Sequence, residues 1–352
     1  MPEKTKTALV IGGGPAGMEA ALRIAQAGFH TVLVEKEPEL GGTLRDLHSS
    51  FPRWENPREL IEHRVGLLMK SRRVTIRTQT AVMSSVRQAK GFRVSLKSLR
   101  NGGRDGYEDE LDVDAVVLAT GFELMDASVY GEYGYGIYPG VMTSLEFEGQ
   151  LKKWAQRTGE IAADAPRGVA LIKCVGSRDR SKGNPYCSKI CCMYTAKQAG
   201  LVKDLFPDTR VYVFYMDYRA SGKEYEEFVR QVIEEKHVRY IRGRPAKVLP
   251  EDGRLLVRAE DTLMGIPVEV AVDMVILASA IVPRPGTRLL AGMFGARTDE
   301  YGFIESELYE PVRSADRVFF AGACGFAIET TGALNQGAAA AAGVTALFNE
   351  ER

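Results

Sequence analysis

The sequence predicts a doubly wound α/β protein in which parallel Rossmann-type sheets carry helices on both faces. Three observations support this prediction. A short apolar run at Thr7–Ile11 leads directly into a glycine-rich turn and a helical pattern. A second apolar run, Gly168–Cys174, opens a middle region with the same order of strand and helix. A third run, DRVFFAGA, precedes a long helix of small residues, so strands and helices alternate along the chain.

The composition is that of an ordinary globular protein. The 352 residues include 46 basic and 46 acidic side chains, and this balance removes any sequence-wide electrostatic case for binding nucleic acid or an anionic membrane. Apolar residues make up 45% of the chain and charged residues 26%. No apolar run approaches the roughly 20 residues of a membrane span, and a signal-peptide pattern is absent. We therefore expect a cytoplasmic location, where five cysteines would stay reduced.

The first turn carries a GxGxxG pattern at Gly12, Gly14 and Gly17. Gly12 would make the tight turn, Gly14 would let a pyrophosphate approach the backbone, and Gly17 would let the helix pack on the strand. The helix predicted over residues 16–27 ends at Gly28, and its N-terminus offers unpaired N–H groups to phosphates. We expect a nucleotide to contact this whole turn, at Gly12, Gly14, Pro15, Ala16 and Gly17.

A carboxylate follows the second predicted strand, HTVLVEK, at Glu35. In a dinucleotide-binding βαβ unit, an acidic residue at this point accepts hydrogen bonds from the ribose hydroxyls. A glycine turn in a plain βαβ unit would leave Glu35 unexplained. The N-terminal region is therefore predicted to bind a dinucleotide.

Three further segments indicate which dinucleotide to expect. Gly41–Gly42 lie shortly after Glu35, and the apolar strand Val116–Ala119 ends in Thr120–Gly121. The segment DRVFFAGACGFAIETTGALNQG lies near the C-terminus. In this order, the segments resemble the two-dinucleotide-binding-domain flavoproteins of the glutathione and thioredoxin reductase type, which implies that the dinucleotide is FAD.

This resemblance implies a domain order and a set of cofactor contacts. A discontinuous FAD-binding domain would comprise residues 1–124 and 285–352, and an NAD(P)H-domain-like module would be inserted over residues 140–284. A helix opening near Ala333 would direct its positive N-terminal end at the flavin. The family usually has Gly-Asp where this chain has Gly322–Ala323, so the carboxylate that holds the ribityl chain is missing. The further expected FAD contacts are Lys36, Gly42, Thr43, Val82, Ala119, Thr120, Gly121, Gly322, Ala323, Asn335 and Gln336.

The inserted module has cysteines where a second glycine fingerprint would be expected. After its first strand the chain continues CVGSRDRSKGNPYCSKICCMY, with the spacing Cys174-x12-Cys187-x3-Cys191-Cys192 and no GxGxxG. A helix is predicted from Cys191 to about Leu205. A strand end, a loop and the start of this helix can converge on one object, and four thiolates suit either tetrahedral zinc or a cubane iron–sulfur cluster. Zinc sites favour paired C-x2–4-C knuckles, and adjacent helical cysteines diverge by roughly 100°. These features favour a cluster, while zinc and reduced structural or disulfide-active thiols stay open.

A narrower resemblance covers the same module. The stretches CVGSRD, GNPYCSKICCMY, VFYMDYRASGKEYEEF and IRGRP are similar to the A-type flavoprotein subunit of heterodisulfide reductase. This similarity implies a 4Fe–4S cluster and, in the catalytic site, a lysine close to flavin N5, matching Lys197, with a glutamate near it, assigned to Glu146. Spacing alone would make Lys197 a solvated helix lysine. The implied cluster ligands are Cys174, Cys187, Cys191 and Cys192.

The short form of the chain resembles the A-type subunit of the heterodisulfide-reductase-like complex of sulfur-oxidising bacteria and archaea. It implies an electron-transfer subunit with FAD and a 4Fe–4S cluster, working in sulfur-compound oxidation. B-type and C-type subunits and a lipoate-binding protein would be its partners, and the chain would form a homodimer. The alternatives are the A-type subunit of a quinone-interacting membrane-bound oxidoreductase and an NAD(P)H-dependent flavin disulfide reductase. The second alternative requires a redox-active cysteine pair beside the flavin and a second glycine fingerprint, and the sequence has neither.

Overall fold

A computed structural model describes residues 6–100, 108–157 and 165–351. The first elements along the chain are β1 (Thr7–Ile11), α1 (Pro15–Gln26), β2 (His30–Val34), α2 (Pro57–Lys70), β3 (Val74–Arg77), β4 (Thr80–Gln88), β5 (Gly91–Ser98), β6 (Glu108–Val113), β7 (Ala115–Leu118) and β8 (Phe122–Leu124). The chain continues with β9 (Val141–Thr143), α3 (Ser144–Gln156), β10 (Gly168–Val175), α4 (Cys191–Leu205), β11 (Arg210–Tyr215), α5 (Tyr225–Glu234), β12 (Arg239–Arg242), β13 (Lys247–Glu251), β14 (Arg254–Asp261), β15 (Ile266–Val272) and β16 (Met274–Ser279). The last elements are β17 (Ile281–Pro283), α6 (Gly286–Met293), β18 (Arg313–Ala315), β19 (Val318–Phe320) and α7 (Thr330–Glu350).

The chain divides into two compact units. The first unit comprises Met1–Arg45, Pro57–Glu123 and Val282–Arg352, and the second comprises Asp46–Asn56 and Leu124–Ile281. The first unit is therefore built from both the N-terminal and the C-terminal part of the chain. Residues 46–56, which the predicted boundaries put in the first domain, belong to the second unit.

The first unit is built on a six-stranded sheet with the strand order β18-β19-β7-β1-β2-β3. β1 pairs in parallel with both β2 and β7. Its residues Ala8–Val10 are fully buried, as a parallel strand covered on both faces requires. The chain order reverses beside β1, and open α/β sheets bind their ligands at the carboxyl ends of the strands at such a point.

Different layers cover the two faces of this sheet. α1 and α7 pack on the face that includes Ala8 and Val10. A Cβ at Gly337 of α7 would lie 2.3 Å from the carbonyl oxygen of Ala16, so α1 and α7 approach closely because α7 is rich in small residues. The opposite face packs against the antiparallel sheet β4-β5-β6 and against α6.

The second unit repeats this plan around a five-stranded parallel sheet with the order β12-β11-β10-β16-β9. Every residue of β10 is buried. α3, α4 and α5 cover the face that includes Val169 and Leu171, and the antiparallel sheet β13-β14-β15 covers the face with Ala170 and Ile172. The chain order reverses beside β10. The predicted doubly wound fold with two Rossmann-type sheets is therefore confirmed.

Helix boundaries follow the predictions with one difference. α1 ends before Gly28, whose φ is +98°, and α4 spans the predicted Cys191–Leu205. α7 begins at Thr330 instead of near Ala333, because the extended backbone of Glu329 lets the helix start there. No helix among the described residues combines the length and the apolar character needed to cross a bilayer.

Candidate functional site

The turn between β1 and α1 depends on its glycines. Gly12 has a φ of +113°, and a Cβ there would lie 2.1 Å from the carbonyl oxygen of Ala119. A Cβ at Gly17 would lie 1.8 Å from the carbonyl oxygen of Gly12. A Cβ at Gly14, in contrast, would meet no heavy atom within 4 Å. Gly12 and Gly17 are therefore required by packing, while Gly14 leaves open space for an approaching phosphate.

The N-terminus of α1 is suited to an anion. The helix begins at Pro15, has no side-chain cap and carries no acidic residue in its first turn. Pro15 itself lacks an N–H, so the N–H groups of the following residues, Ala16 and Gly17, are the ones left for a ligand. The positive end of the helix dipole adds to their attraction for a phosphate.

Glu35 is held against this turn. Its side chain is buried, with 8% exposed, and follows the end of β2. One carboxylate oxygen accepts the N–H of Gly13 at 2.5 Å, and the other accepts the N–H of Glu37 at 2.9 Å. Each oxygen keeps a second lone pair, so the carboxylate could still accept hydrogen bonds from ribose hydroxyls.

Two other predicted segments meet the glycine turn. The N–H of Gly41 donates to the carbonyl of Gly13 at 2.8 Å, and a Cβ at Gly42 would lie 3.1 Å from the Cα of Gly14. The N–H of Ala119 donates to the carbonyl of Ile11 at 2.8 Å. Segments far apart in the sequence therefore surround one turn, as a dinucleotide site requires.

The C-terminal segment also reaches α1. Gly322 has a φ of +82°, and a Cβ there would lie 2.9 Å from the Cβ of Ala16. The N–H of Gly322 donates to Oε1 of Gln336 at 2.8 Å, so Gln336 holds this loop. Ala323, at the position where the family has Asp, is buried. Asn335 is exposed on α7.

The remaining predicted FAD contacts have varied surroundings. Lys36 is exposed and pairs with Glu37 at 3.8 Å. Val82 lies on β4 and packs into the apolar layer between the large sheet and β4-β5-β6.

The threonines of the predicted site lie in turns. Thr43 is half-buried in a 3-10 turn. Oγ1 of Thr120 lies 2.9 Å from Oγ1 of Thr287. Gly121 follows with a φ of +73°.

The cysteines of the second unit lie where β10 ends and α4 begins. The pairing register of β10 shifts between Ile172 and Val175, and Cys174 within this bulge has a φ of +59°. The Cys191 thiol, 1% exposed, hydrogen-bonds with both Cys174 and Cys192. These three sulfurs therefore lie together in the interior. The bulge turns the Cys174 side chain out of the regular strand alternation.

Cys187 is the half-buried member of the four. Its sulfur accepts the N–H of Lys189 at 3.3 Å. The guanidinium of Arg178 interacts by charge with both Cys187 and Cys174. The sulfur of Cys192 likewise accepts a backbone N–H, that of Arg219, at 3.3 Å.

The thiols of this group do not titrate alike. The hydrogen bond from Cys191 lowers the pKa of Cys192 to about 5, and the charge of Lys173 lowers it further against the effect of burial. The same partner, Cys191, lowers the pKa of Cys174 to about 7. Hydrogen bonds to Cys174 and Cys192, together with burial, raise the pKa of Cys191 itself. Thiolates are therefore favoured at two of the four positions.

The four cysteines of the second unit offer only sulfur atoms as possible metal ligands. Over residues 6–100, 108–157 and 165–351, no group of three or more His, Cys, Asp or Glu side chains is arranged around a single-ion position. Cys324, the fifth cysteine, is buried in the first unit, and burial raises the pKa of its thiol to about 11. Cys324 packs in the apolar layer of the first unit, and its thiol donates to the carbonyls of Leu118 and Ala321, so it acts there as a small buried residue.

Lys197 is buried, not solvated. Only 1% of its side chain is exposed, and the same is true of Glu148. Nζ of Lys197 lies 2.7 Å from Oε1 of Glu148 and donates to the carbonyl of Ser49 at 2.8 Å. Burial lowers the pKa of Lys197, and the Glu148 carboxylate opposes this effect. The interpretation of Lys197 as a solvated helix lysine is therefore wrong.

The glutamate beside Lys197 is Glu148 rather than Glu146. Glu146 forms the capping box of α3: Oε2 accepts the N–H of Thr143 at 2.7 Å, and the hydroxyl of Thr143 accepts the N–H of Glu146. Glu146 also accepts a hydrogen bond from Tyr135 at 3.0 Å. Residues two apart on a helix point about 200° away from each other, so only one of the two glutamates can face α4.

Glu148 is the centre of a buried polar network. Nε2 of Gln198 donates to Oε1 of Glu148 at 2.6 Å, and the N–H of His48 donates to Oε2 at 2.8 Å. Burial lowers the pKa of His48, and the charge of Lys197 acts in the same direction while Glu148 opposes it. The short segment of residues 46–56 is thus bound to α3 and α4 by polar contacts.

Sequence reasoning missed Glu148 and Lys173, and a signal for each was present. Glu148 lies on the buried stripe of α3 with Ser144, Phe147 and Leu151, at helical spacing. Lys173 interrupts the apolar run GVALIKC. A charged residue at a position that periodicity assigns to the core is a functional candidate, because burial of an isolated charge is costly.

Residues 6–172 match the family described as pyridine nucleotide-disulphide oxidoreductase. An A-type iron-sulfur subunit of CoB–CoM heterodisulfide reductase from Methanopyrus kandleri is 31% identical over 96% of this chain and 64% of that protein. The A-type iron-sulfur subunit of the same enzyme from Methanocaldococcus jannaschii is also 31% identical, over 86% of this chain and 58% of that protein. Over most of its length the chain is similar to A-type subunits of heterodisulfide reductase. It spans less than two thirds of the length of these relatives.

The fold of the chain has solved counterparts. A thioredoxin reductase of T. acidophilum superposes with a TM-score of 0.64 and 18% identity, over 96% of this chain and 97% of the other. This likeness shows that the chain has the two-dinucleotide-binding-domain fold. The match of residues 6–172 to the pyridine nucleotide-disulphide oxidoreductase family supports an oxidoreductase, with FAD as the dinucleotide of the first unit.

Proposed function

We propose that the chain is the electron-transfer subunit of a heterodisulfide-reductase-like complex, with FAD in its first unit and a 4Fe–4S cluster in its second. The observation that carries this proposal is the turn between β10 and α4. At the point of the second sheet where a dinucleotide fingerprint would lie, the buried thiol of Cys191 hydrogen-bonds with both Cys174 and Cys192, and Arg178 interacts by charge with Cys174 and Cys187. The relatives are named as iron-sulfur subunits, which supports the proposal.

In the first unit, this chain's own residues would bind and orient FAD. The Gly12–Gly17 turn and the N-terminus of α1 would bind the pyrophosphate, and Glu35 would bind the ribose. The segment around Gly322 and Ala323 would line the ribityl chain, without the usual carboxylate. Bound FAD supplies the exchange of electron pairs for single electrons.

In the second unit, the cysteines would bind the cluster. A cluster with thiolate ligands carries excess negative charge, which hydrogen bonds to sulfur stabilise. The backbone N–H groups of Lys189 and Arg219 already point at two of the sulfurs. The N-terminus of α4, which begins at Cys191, adds its positive dipole end.

The role expected beside flavin N5 is assigned to the pair Lys197–Glu148. Because Glu148 holds the Lys197 ammonium in a buried ion pair, the pair can keep a cation oriented without exposing it to water. Glu146 takes no part in this pair, since its carboxylate is bound by the capping box of α3.

The process in which the complex works, and its partners, are assigned from the same resemblance. We assign the complex to sulfur-compound oxidation, with B-type and C-type subunits and a lipoate-binding protein as partners and a homodimer of this chain at its centre. A cytoplasmic location belongs to this assignment. It rests on the resemblance of the cysteine turn and the FAD fingerprint, taken together, to the proteins of that complex.

The test is the metal and flavin content of protein purified without oxygen. The wild-type chain should contain iron and sulfide in equal amounts together with FAD. Cys191→Ala removes the sulfur that contacts two of the others, so iron and sulfide should be lost while FAD stays bound. Retention of FAD shows that the two groups occupy separate sites.

Cys324→Ala is the matched control, because it also removes one buried cysteine but lies in the other unit. It should leave the iron content unchanged. Wild-type protein with zinc or with no metal, or full iron in Cys191→Ala, would contradict the proposal.

A further inference from the structure

Lys173 is a buried cation next to the cysteine group. Its side chain is 3% exposed, although it belongs to β10, whose neighbouring side chains are apolar. Strand alternation places Lys173 on the face of Val169 and Leu171, which is the face covered by α4. The side chain therefore lies beneath the helix that begins with Cys191 and Cys192.

Aromatic rings enclose the Lys173 ammonium on this face. Nζ lies 5.3 Å from the ring centroid of Tyr215 on β11 and 5.8 Å from that of Tyr240 on β12. No oxygen atom of the described residues accepts a hydrogen bond from Nζ. Cation–π contacts stabilise a desolvated cation, but burial of an ammonium without a hydrogen-bonded counter-charge is costly.

The cysteines lie next to this cation. The charge of Lys173 acts on both Cys192 and Cys174. The N-terminus of α4 contributes a second positive end at the same place. These two positive groups would offset the negative charge of a group bound by the sulfurs.

We propose that Lys173 is a charge-compensating residue of the cysteine site, and that its fixed positive charge raises the reduction potential of the iron–sulfur group held there. This inference rests on the proposed function. Reduction adds one electron and therefore one negative charge to the group. A nearby buried cation stabilises the reduced form more than the oxidised form, and removal of the cation lowers the potential.

The experiment is an anaerobic redox titration of the iron–sulfur signal, followed by electron paramagnetic resonance, with iron content measured on the same samples. Lys173→Met keeps the length of the side chain and removes its charge. We expect the one-electron reduction equilibrium to become about tenfold less favourable, a fall in midpoint potential of about 59 mV. Lys173→Arg keeps the charge and should restore most of the potential.

Lys182→Met is the matched control. Lys182 is an exposed lysine of the same unit that lies over the ring of Tyr130, so its loss removes one positive charge without touching the cysteines. Its midpoint potential should equal that of the wild type. Lys173→Gln, which keeps a polar end, provides a second neutral variant should Lys173→Met not fold.

The outcomes separate this inference from the proposed function. Wild-type protein without iron and sulfide overturns both. Wild-type protein with a cluster, and a neutral Lys173 variant with the same iron content and an unchanged midpoint potential, overturns this inference alone and assigns Lys173 a purely structural role. An equal fall in the midpoint potential of Lys182→Met would overturn the inference, because the effect would then not be specific to Lys173.

Discussion

The two units have the same fold, but they carry different kinds of residue at the end of the corresponding strand. In the first unit, β1 ends at the glycine turn of residues 12–14, and α1 follows at once. In the second unit, β10 ends in a long loop of residues 176–190 before α4 begins at Cys191. Both turns follow the strand beside which the chain order reverses. The comparison teaches that the same position of the fold can carry a glycine turn in one unit and a cysteine-containing loop in the other.

The two turns are stabilised by different means. The first relies on the absence of side chains, since a Cβ at Gly12 or Gly17 would collide with backbone oxygens. The second relies on charged and sulfur-containing side chains in the interior, among them Lys173 and the pair Lys197–Glu148. Added bulk should therefore damage the first turn most, and loss of charge should damage the second most.

The largest effect is expected from Gly17→Ala. The new methyl group would lie 1.8 Å from the carbonyl oxygen of Gly12, so α1 would have to move away from β1. We expect a loss of about 3 kcal/mol in the free energy of unfolding and protein without FAD. Thermal denaturation and the flavin absorbance of the purified protein measure the two effects.

Gly14→Ala is the control for this substitution, because a Cβ there meets no heavy atom within 4 Å. Its melting temperature should stay near that of the wild type while FAD affinity falls. Equal melting temperatures for Gly17→Ala and the wild type would show that the turn does not depend on steric exclusion.

An intermediate effect is expected from Glu148→Gln in the second unit. The substitution leaves the Lys197 ammonium without its buried carboxylate. Removing one partner of a buried ion pair costs about 3–5 kcal/mol. The amide oxygen of glutamine can still accept a hydrogen bond, so we expect a smaller loss of about 2 kcal/mol. Chemical denaturation of wild type and variant, followed by circular dichroism, measures the difference.

Glu146→Gln makes the same chemical change two residues earlier on α3. Glutamine is accepted in a capping box, so the loss should be about 0.5 kcal/mol or less. Similar losses for the two variants would mean that the Lys197–Glu148 pair adds nothing beyond an ordinary polar contact.

The smallest effect is expected from Glu35→Gln in the first unit. The amide oxygen can still accept the N–H of Gly13, so the turn should keep its shape. The charged hydrogen bonds to ribose would be lost, and we expect FAD affinity to fall about tenfold, or about 1.4 kcal/mol. Titration of flavin-free protein with FAD, followed by fluorescence, measures this change.

Glu37→Gln serves as the exposed control and should bind FAD as the wild type does. A larger loss in the free energy of FAD binding for Glu35→Gln than in the free energy of unfolding for Glu148→Gln would contradict this ranking. This result would mean that the first turn depends more on charge than the second unit does, the opposite of our expectation.

Local patterns were sufficient to predict much of the fold. The strand Thr7–Ile11, the glycine turn and a helix ending before Gly28 follow from apolar spacing and glycine geometry, which act over a few residues. The same holds for α4, predicted from Cys191 to Leu205 and found there. The start of α7 was missed, because it depends on the extended conformation of Glu329 rather than on side-chain periodicity.

Contacts between distant segments could not be predicted in this way. Helical spacing puts Glu148 on the buried stripe of α3, but only the packing of α3 on α4 decides that it meets Lys197. The assignment of residues 46–56 to the second unit has the same origin, since it depends on hydrogen bonds from His48 and to Ser49.

The amino-acid sequence by itself determined the two Rossmann-type sheets, the glycine turn and the set of cysteines, because short-range patterns of polarity, chain reversal and residue type specify each of them. Only the tertiary structure decided that Lys197 is buried with Glu148, that Cys191 meets both Cys174 and Cys192, and that Lys173 lies beneath α4. Burial and charge pairing depend on which distant segments pack together, and no local pattern contains that information.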